Sequence, residues 1–252
     1  MTRLHREAMR VLIGEITSGG YSPGDRLPRE VDLAEQFGVS RGVARECIRG
    51  LEERGLVDVT HGRGAKVNPS VRWDVFDPDV LRWLLAGERG PAVLRDYLEC
   101  RRILEVEAAG LAAERATPGD VARLEAAFQA MVESAPRASR NPAAEELWAE
   151  ADIEFHRAVV AAAQNVALAR MTEPIHRALA TALPALARPQ LRFERALPEH
   201  KRILDAIRTR GERKARAGMR AHLETVETYL REYTEEVRHD VVTLSAAATE
   251  QV

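Results

Sequence analysis

Cysteine is nearly absent from this 252-residue chain: Cys47 and Cys100 are the only two, in different halves, each within a helical pattern. That argues against a disulfide framework and the small secreted scaffolds that depend on one. Long apolar runs are missing as well. No stretch approaches the roughly 20 apolar residues needed to cross a bilayer. The opening segment MTRLHREAMRVLIGEI is charged and amphipathic, without the apolar block and small-residue cleavage site of a secretion signal. The expected location is the cytoplasm, with no membrane partner. Net charge is only −2, which by itself argues nothing about nucleic acid. Lysine is scarce, 3 residues against 34 arginines, and no functional conclusion follows from that bias. What remains is globular composition, 45% hydrophobic and 30% charged, over a length that supports one large domain or two ordinary ones.

Helical periodicity runs from about residue 4 to 18 and stops at Gly19-Gly20. Two shorter helices follow at 29–36 and 41–54, joined by Phe37-Gly38-Val39-Ser40, with Gly38 suited to a left-handed conformation and Ser40 to an N-cap. Leu56–Thr60 alternates like a strand, His61-Gly62-Arg63-Gly64 makes a turn, and Ala65–Val67 returns. Helix, helix-turn-helix and hairpin together spell a winged helix-turn-helix over residues 1–68. This segment carries 11 basic and 10 acidic groups, so its case for DNA rests on where the arginines lie rather than on bulk charge. At 100° per residue, Arg41, Arg45 and Arg49 share one arc of the second motif helix, while Val43, Ala44, Cys47, Ile48 and Leu51 share another. A basic face on that helix suits the major groove, and the short basic turn with Arg63 suits a phosphate backbone or minor groove.

Residues 24–67, GDRLPREVDLAEQFGVSRGVARECIRGLEERGLVDVTHGRGAKV, resemble the winged helix of the GntR family. The resemblance implies that Arg41 and Arg45 read DNA, with Glu30 and Arg49 as helpers and His61 and Gly62 at the wing tip. Two departures stand out. Val31 occupies a position where the family often carries Arg, leaving Arg29 as a substitute contact, and Gly42-Val43 replaces a frequent Thr-Pro.

Beyond Asn68-Pro69-Ser70 the pattern is helical throughout: 78–86, 91–115, 118–134, 142–163, 167–183, 199–210 and 212–238. Residues 69–90 read as a connector with a linker helix, 91–240 as an all-helical domain, and 241–252 as a frayed tail. The fold class is therefore mainly α. Within the helical domain, Asp152 and His156 sit i, i+4 on the face of Trp148, Phe155 and Val159. His200 lies on the stripe of Ile203, Leu204 and Ile207, and His222 on that of Met219, Leu223 and Val226. Burying four such groups uncompensated is costly. Gly211 stands 11 residues from each of His200 and His222, so a hairpin about it brings the two rings to similar height. With Asp152 and His156 from a third helix, the set suits Zn²⁺, with Ni²⁺ or Mn²⁺ as alternatives. His5, His176 and His239 read as ordinary histidines. Arg101 falls inside an apolar face, either paired with Glu105 one turn along or clamping the carboxylate of a ligand.

RRILEVEAAGLAAERAT (101–117), ADIEFH (151–156), Asn165, PEHKRIL (198–204) and MRAHLETV (219–226) resemble the FCD effector domain of the FadR-type GntR subfamily. That resemblance implies an all-helical antiparallel bundle, a metal at Asp152, His156, His200 and His222, and an effector pocket lined by Arg101 and Asn165. WDVFDPDVLRWLL (73–85) is similar to members that answer to sugar acids. The expected protein is a homodimeric repressor of a catabolic operon, released from operator DNA by a small carboxylic acid. The alternatives are an activator, or a metal-dependent enzyme acting on a small acid. No further acid or base reads as placed beside the ligands, and Glu199 is expected to point about 100° away from His200.

Overall fold

The computed structural model describes residues 3–60, 62–87, 89–138, 142–186 and 192–228. The chain divides into two compact units, Met1–Val93 and Leu94–Val252.

In the first unit, α1 (Arg3–Thr17), α2 (Glu30–Phe37) and α3 (Arg41–Glu53) precede the antiparallel hairpin β1 (Val57–Thr60) and β2 (Gly64–Val67). Gly38 takes the left-handed conformation, φ 61°, and the Ser40 hydroxyl accepts from the Val43 amide at 3.3 Å, so the turn and the cap of α3 form as their residues dictate. Leu12, Ile13, Ile16, Leu33, Leu51, Leu56 and Val57 are all but fully buried and make the shared core. Gly55 has φ 67°, and a side chain there would meet the Arg72 carbonyl oxygen at 2.1 Å; only glycine fits.

The stretch read as a connector is held by this unit. After a 3₁₀ turn (Ser70–Arg72), Asp77 caps α4 (Pro78–Ala86) by accepting from the amides of Asp79 and Val80. Val80 is completely buried in the N-terminal core, and the indole of Trp83 lies so close over Gly14 that a Cβ there would be 2.8 Å from the ring. The first unit thus runs past residue 68 to Val93, because α4 has an apolar face to bury and α1 offers the glycine that admits it.

The second unit is helical: α5 (Gly90–Arg115, whose first turn counts with the first unit), α6 (Pro118–Ala138), α7 (Pro142–Ala162), α8 (Val166–Leu186), α9 (Arg192–Arg208) and α10 over residues 212–228. Its core is drawn from α5, α6, α7, α9 and α10, with Trp148, Phe155, Leu124, Met131 and Ile203 at its centre. Three helices outrun the sequence reading. α6 and α8 continue to Ala138 and Leu186, and α9 starts at Arg192, seven residues early, passing through Pro198. An interior proline costs about 3 kcal/mol. Here Pro198 faces solvent while Ala196, His200, Ile203 and Leu204 on the other side of α9 are buried, and that packing outweighs the propensity. The predicted residues 229–238 of the last helix and the tail 241–252 lie outside the described residues.

One end of this unit is tied by two left-handed residues that are not glycine, Gln164 (φ 52°) and Arg210 (φ 58°). The Arg210 guanidinium donates to the carbonyls of Glu114 and Ala116 at the end of α5, at 3.0 and 2.7 Å. The Gln164 amide donates to Asp120 at 2.9 Å, and Asp120 in turn accepts from the Thr117 amide to cap α6. The turn between α9 and α10 is a Schellman cap, Gly211 N–H to Ala206 O and Arg210 N–H to Ile207 O, so the left-handed position is Arg210 rather than Gly211. From this fixed end, Glu105, His156, His200 and His222 lie 7 to 11 residues inward, about 10–16 Å at 1.5 Å per residue, which sets them at similar height.

Candidate metal centre and nucleic-acid face

On α3, Ala44, Cys47, Ile48 and Leu51 are buried, whereas Arg41, Arg45 and Arg49 are exposed, so the helix is basic on one side and packed on the other. Arg41 and Arg45 project from its first two turns; Arg49, a turn later, pairs with Glu53 at 3.2 Å. Arg29 is exposed just before α2, its amide donating to Asp32, and Glu30 is half-buried beside it. The wing turn carries Gly62 (φ 73°) and Gly64 (φ 81°) on either side of exposed Arg63, whose carbonyl accepts from the Arg26 guanidinium. His61 lies outside the described residues.

The four metal-ligand candidates come together. Asp152 and His156 from α7, His200 from α9 and His222 from α10 each offer one ligand atom, and these atoms lie within 4.8 Å of one another. All four residues are buried. His200 Nε2 is 3.1 Å from Asp152 Oδ1 and 3.3 Å from His156 Nε2. The outer nitrogen of each ring is occupied. His200 Nδ1 donates to the Ala196 carbonyl at 2.8 Å, His156 Nδ1 to Glu105 Oε2 at 2.5 Å, and His222 Nδ1 to Glu199 Oε2 at 2.9 Å. Each bond puts the ring proton on Nδ1 and leaves the Nε2 lone pair for the interior.

This donor set fits a cation. Two Nε2 lone pairs 3.3 Å apart repel unless positive charge lies between them. Protonating a ring is opposed: burial pushes His156 down to about 3, a pull that Glu105 counteracts only in part, and burial together with the neighbouring His200 holds His222 well below the usual imidazole value. Three neutral imidazoles and one carboxylate are the ligands that Zn²⁺ and related divalent ions take.

Arg101 is buried and paired with Glu105, Nε to Oε1 at 2.7 Å. Burial by itself would raise the Glu105 carboxyl, but the Arg101 guanidinium and the bonds from His156 and His176 hold it well below the usual carboxylate range. His176, read as an ordinary histidine, donates from Nε2 to Glu105 Oε1 at 2.8 Å. Glu199, expected to point away, reaches His222 on the adjoining helix and also accepts from the Thr225 hydroxyl at 3.0 Å. The helical wheel places it correctly relative to His200 but takes no account of α10 packed against α9. The expectation that no further acid sits beside the ligands is corrected on both counts, by Glu105 and by Glu199. Carboxylates within one turn of each buried histidine or arginine are the signal in the sequence that points to both. The Asn165 side chain serves its own helix: Oδ1 accepts from the Leu168 amide at 3.1 Å, capping α8.

Comparison with known proteins agrees with both halves. Residues 4–67 match the bacterial regulatory proteins of the gntR family, and residues 96–225 match the FCD domain. The galactonate operon transcriptional repressor of Escherichia coli (strain K12) is 34% identical over 203 residues, covering 77% of this chain and 82% of the relative. The HTH-type transcriptional regulator LutR of Bacillus subtilis (strain 168) is 31% identical, covering 88% and 98%, and the Uxu operon transcriptional regulator of Escherichia coli (strain K12) is 31% identical, covering 92% and 88%. Among solved structures, Lar of Listeria monocytogenes shares the fold, with a TM-score of 0.64 at 19% identity over 92% of this chain and 98% of that one. No described helix is long and apolar enough to cross a membrane. Families and relatives alike are transcription regulators and not enzymes, which removes the enzyme alternative. The chain belongs to the GntR family of bacterial transcription regulators, in the FadR-like branch whose second domain is of the FCD type.

Proposed function

We propose that this regulator is a homodimeric repressor of a catabolic operon, released from its operator when a small carboxylic acid, a sugar acid or a close relative, binds beside a divalent metal in the second unit. The observation that carries the reading is the convergence of Asp152, His156, His200 and His222, linked through Glu105 to a buried arginine. Zinc is the metal this set suits best, with nickel or manganese as alternatives. A divalent cation held there supplies an electrophilic centre for a carboxylate oxygen.

The chain's own residues do the rest. Arg101 takes the acid's carboxylate with its planar guanidinium. Asn165, its oxygen spent on capping α8, lines the pocket with its amide nitrogen. In the first unit Arg41 and Arg45 read base edges, while Arg49, Glu30 and Arg29 steady the helix against the backbone. His61, Gly62 and Arg63 carry the wing to the phosphates or the minor groove. Two copies read a palindrome, one recognition helix per half-site. The acid favours the state mismatched to the operator, which requires that it bind that state more tightly. One relative supports a sugar-acid ligand through its name, the galactonate operon transcriptional repressor.

The test has two arms. Elemental analysis and mass spectrometry of native protein should return about one divalent metal per chain and a co-purified acid. Fluorescence anisotropy should show sequence-specific DNA binding at physiological salt that galactonate or a related acid weakens. A metal-free native protein, or DNA binding without sequence preference, overturns the reading. A reporter that falls rather than rises on deletion of the regulator would turn repression into activation.

A further inference from the structure

Glu105 is completely buried, and both of its oxygens are engaged: Oε1 with Arg101 Nε and His176 Nε2, Oε2 with His156 Nδ1. One carboxylate on α5 therefore joins a cation on its own helix to a ligand candidate on α7 and a second histidine on α8. We propose that Glu105 is a positioning residue of the metal centre, and that Arg101 and Glu105 act on it with opposite sign. This inference rests on the metal-binding reading above.

The physical argument is local. An anionic acceptor on Nδ1 fixes the His156 tautomer, aims Nε2 inward and makes the imidazole a better donor. Arg101 draws on the same carboxylate. Its positive charge withdraws part of that effect and adds repulsion toward any cation bound among the imidazoles. Engaging Arg101 with an external anion would return Glu105 more fully to His156, so an acid and a metal should strengthen each other's binding through this one side chain. His176 donates to Oε1, the oxygen that Arg101 also holds, and so gives the carboxylate a second anchor independent of Arg101.

The experiment measures Zn²⁺ affinity by competition with a chromophoric chelator, with the visible spectrum of the Co²⁺ form as a readout of ligand geometry. It uses the full chain without any acid. Glu105→Gln should weaken Zn²⁺ binding 10- to 100-fold, the range seen for such partners, and alter the Co²⁺ spectrum. Arg101→Met should bind Zn²⁺ more tightly than the wild type, since it removes the opposing charge. Breaking a buried ion pair from one side strands a charge. Should Glu105→Gln fail to fold, the charge-balanced double variant Arg101→Met/Glu105→Gln replaces it and should bind at least 10-fold more weakly than Arg101→Met. Equal losses in the two single variants would reduce the pair to a structural brace and overturn the inference. So would an Arg101→Met variant no tighter than the wild type, wild-type affinity in Glu105→Gln, or a double variant as tight as Arg101→Met. A wild-type protein with no affinity for Zn²⁺, Ni²⁺ or Mn²⁺ overturns instead the metal-binding reading itself.

Discussion

Arg45 and Arg41 stand on the exposed face of a helix whose other face is fixed by Ala44, Cys47, Ile48 and Leu51, so their removal should disturb DNA contact without disturbing the fold. Arg45→Ala or Arg41→Ala is expected to cost about 1–3 kcal/mol of discrimination at one base position, read by anisotropy on operator variants, with the melting temperature unchanged. Acid acts at the histidines. With metal chelated, His156 is buried neutral with its pKa pushed to about 3, whereas the unfolded chain protonates it near 6.5. The unfolded state therefore binds the extra proton first, and stability present in full above 6.5 is lost as pH falls toward 3. Urea titrations of chelated protein should show a midpoint that drops between pH 7 and pH 5. A flat profile would contradict the buried, neutral ring. At this scale the sequence is informative wherever a polar residue interrupts an apolar stripe, as at Asp152, His156, His200 and His222. It says less where a partner comes from another helix: Glu199 faces His222 across the α9–α10 hairpin, and His176 meets Glu105 across 71 residues of chain.

At the scale of elements, α4 is the informative case. Its boundaries, residues 78–86, follow directly from the Asp77-Pro78 start and the Gly87 stop, yet its membership of the first unit depends on the contact of Trp83 with Gly14. No periodicity announces that contact, because a helical glycine reads as a propensity defect until its neighbour is known. Gly14→Val should force Trp83 off α1 and destabilise the first unit by about 1–3 kcal/mol, the usual cost of overpacking. Fluorescence of the tryptophans and a lowered melting temperature would report it; an unshifted transition would mean that α4 is not held there. Prolines mark the opposite failure. Pro198 reads as a helix start and is an interior residue, since burial of Ala196, His200 and Ile203 decides the course of α9.

For the whole molecule, cation binding and folding of the second unit are linked, because four buried ligand groups from three helices gain a common partner. At a free metal concentration 1,000 times the dissociation constant, the stabilisation is about 4 kcal/mol, which for a unit of this size corresponds to roughly 8–16 °C in melting temperature. Chelation should lower the transition of the second unit by that order and leave that of the first in place; calorimetry resolves the two. Replacing His200 by Ala should abolish the metal-dependent part of the shift. The two-unit layout is legible from the break at Asn68-Pro69-Ser70, but the border near Val93 is not, because it falls inside the continuous helix α5.

All three rings of the cluster hold their protons on the outside, so the hollow they enclose with Asp152 contains acceptors alone. An acid anion entering that hollow first meets lone pairs and a like charge, and is turned away. On the proposed function, the acid should therefore bind only once the metal is in place, two inputs in a fixed order. Titration calorimetry with the inducing acid should give no heat of binding on chelated protein, and a saturable one once metal is restored.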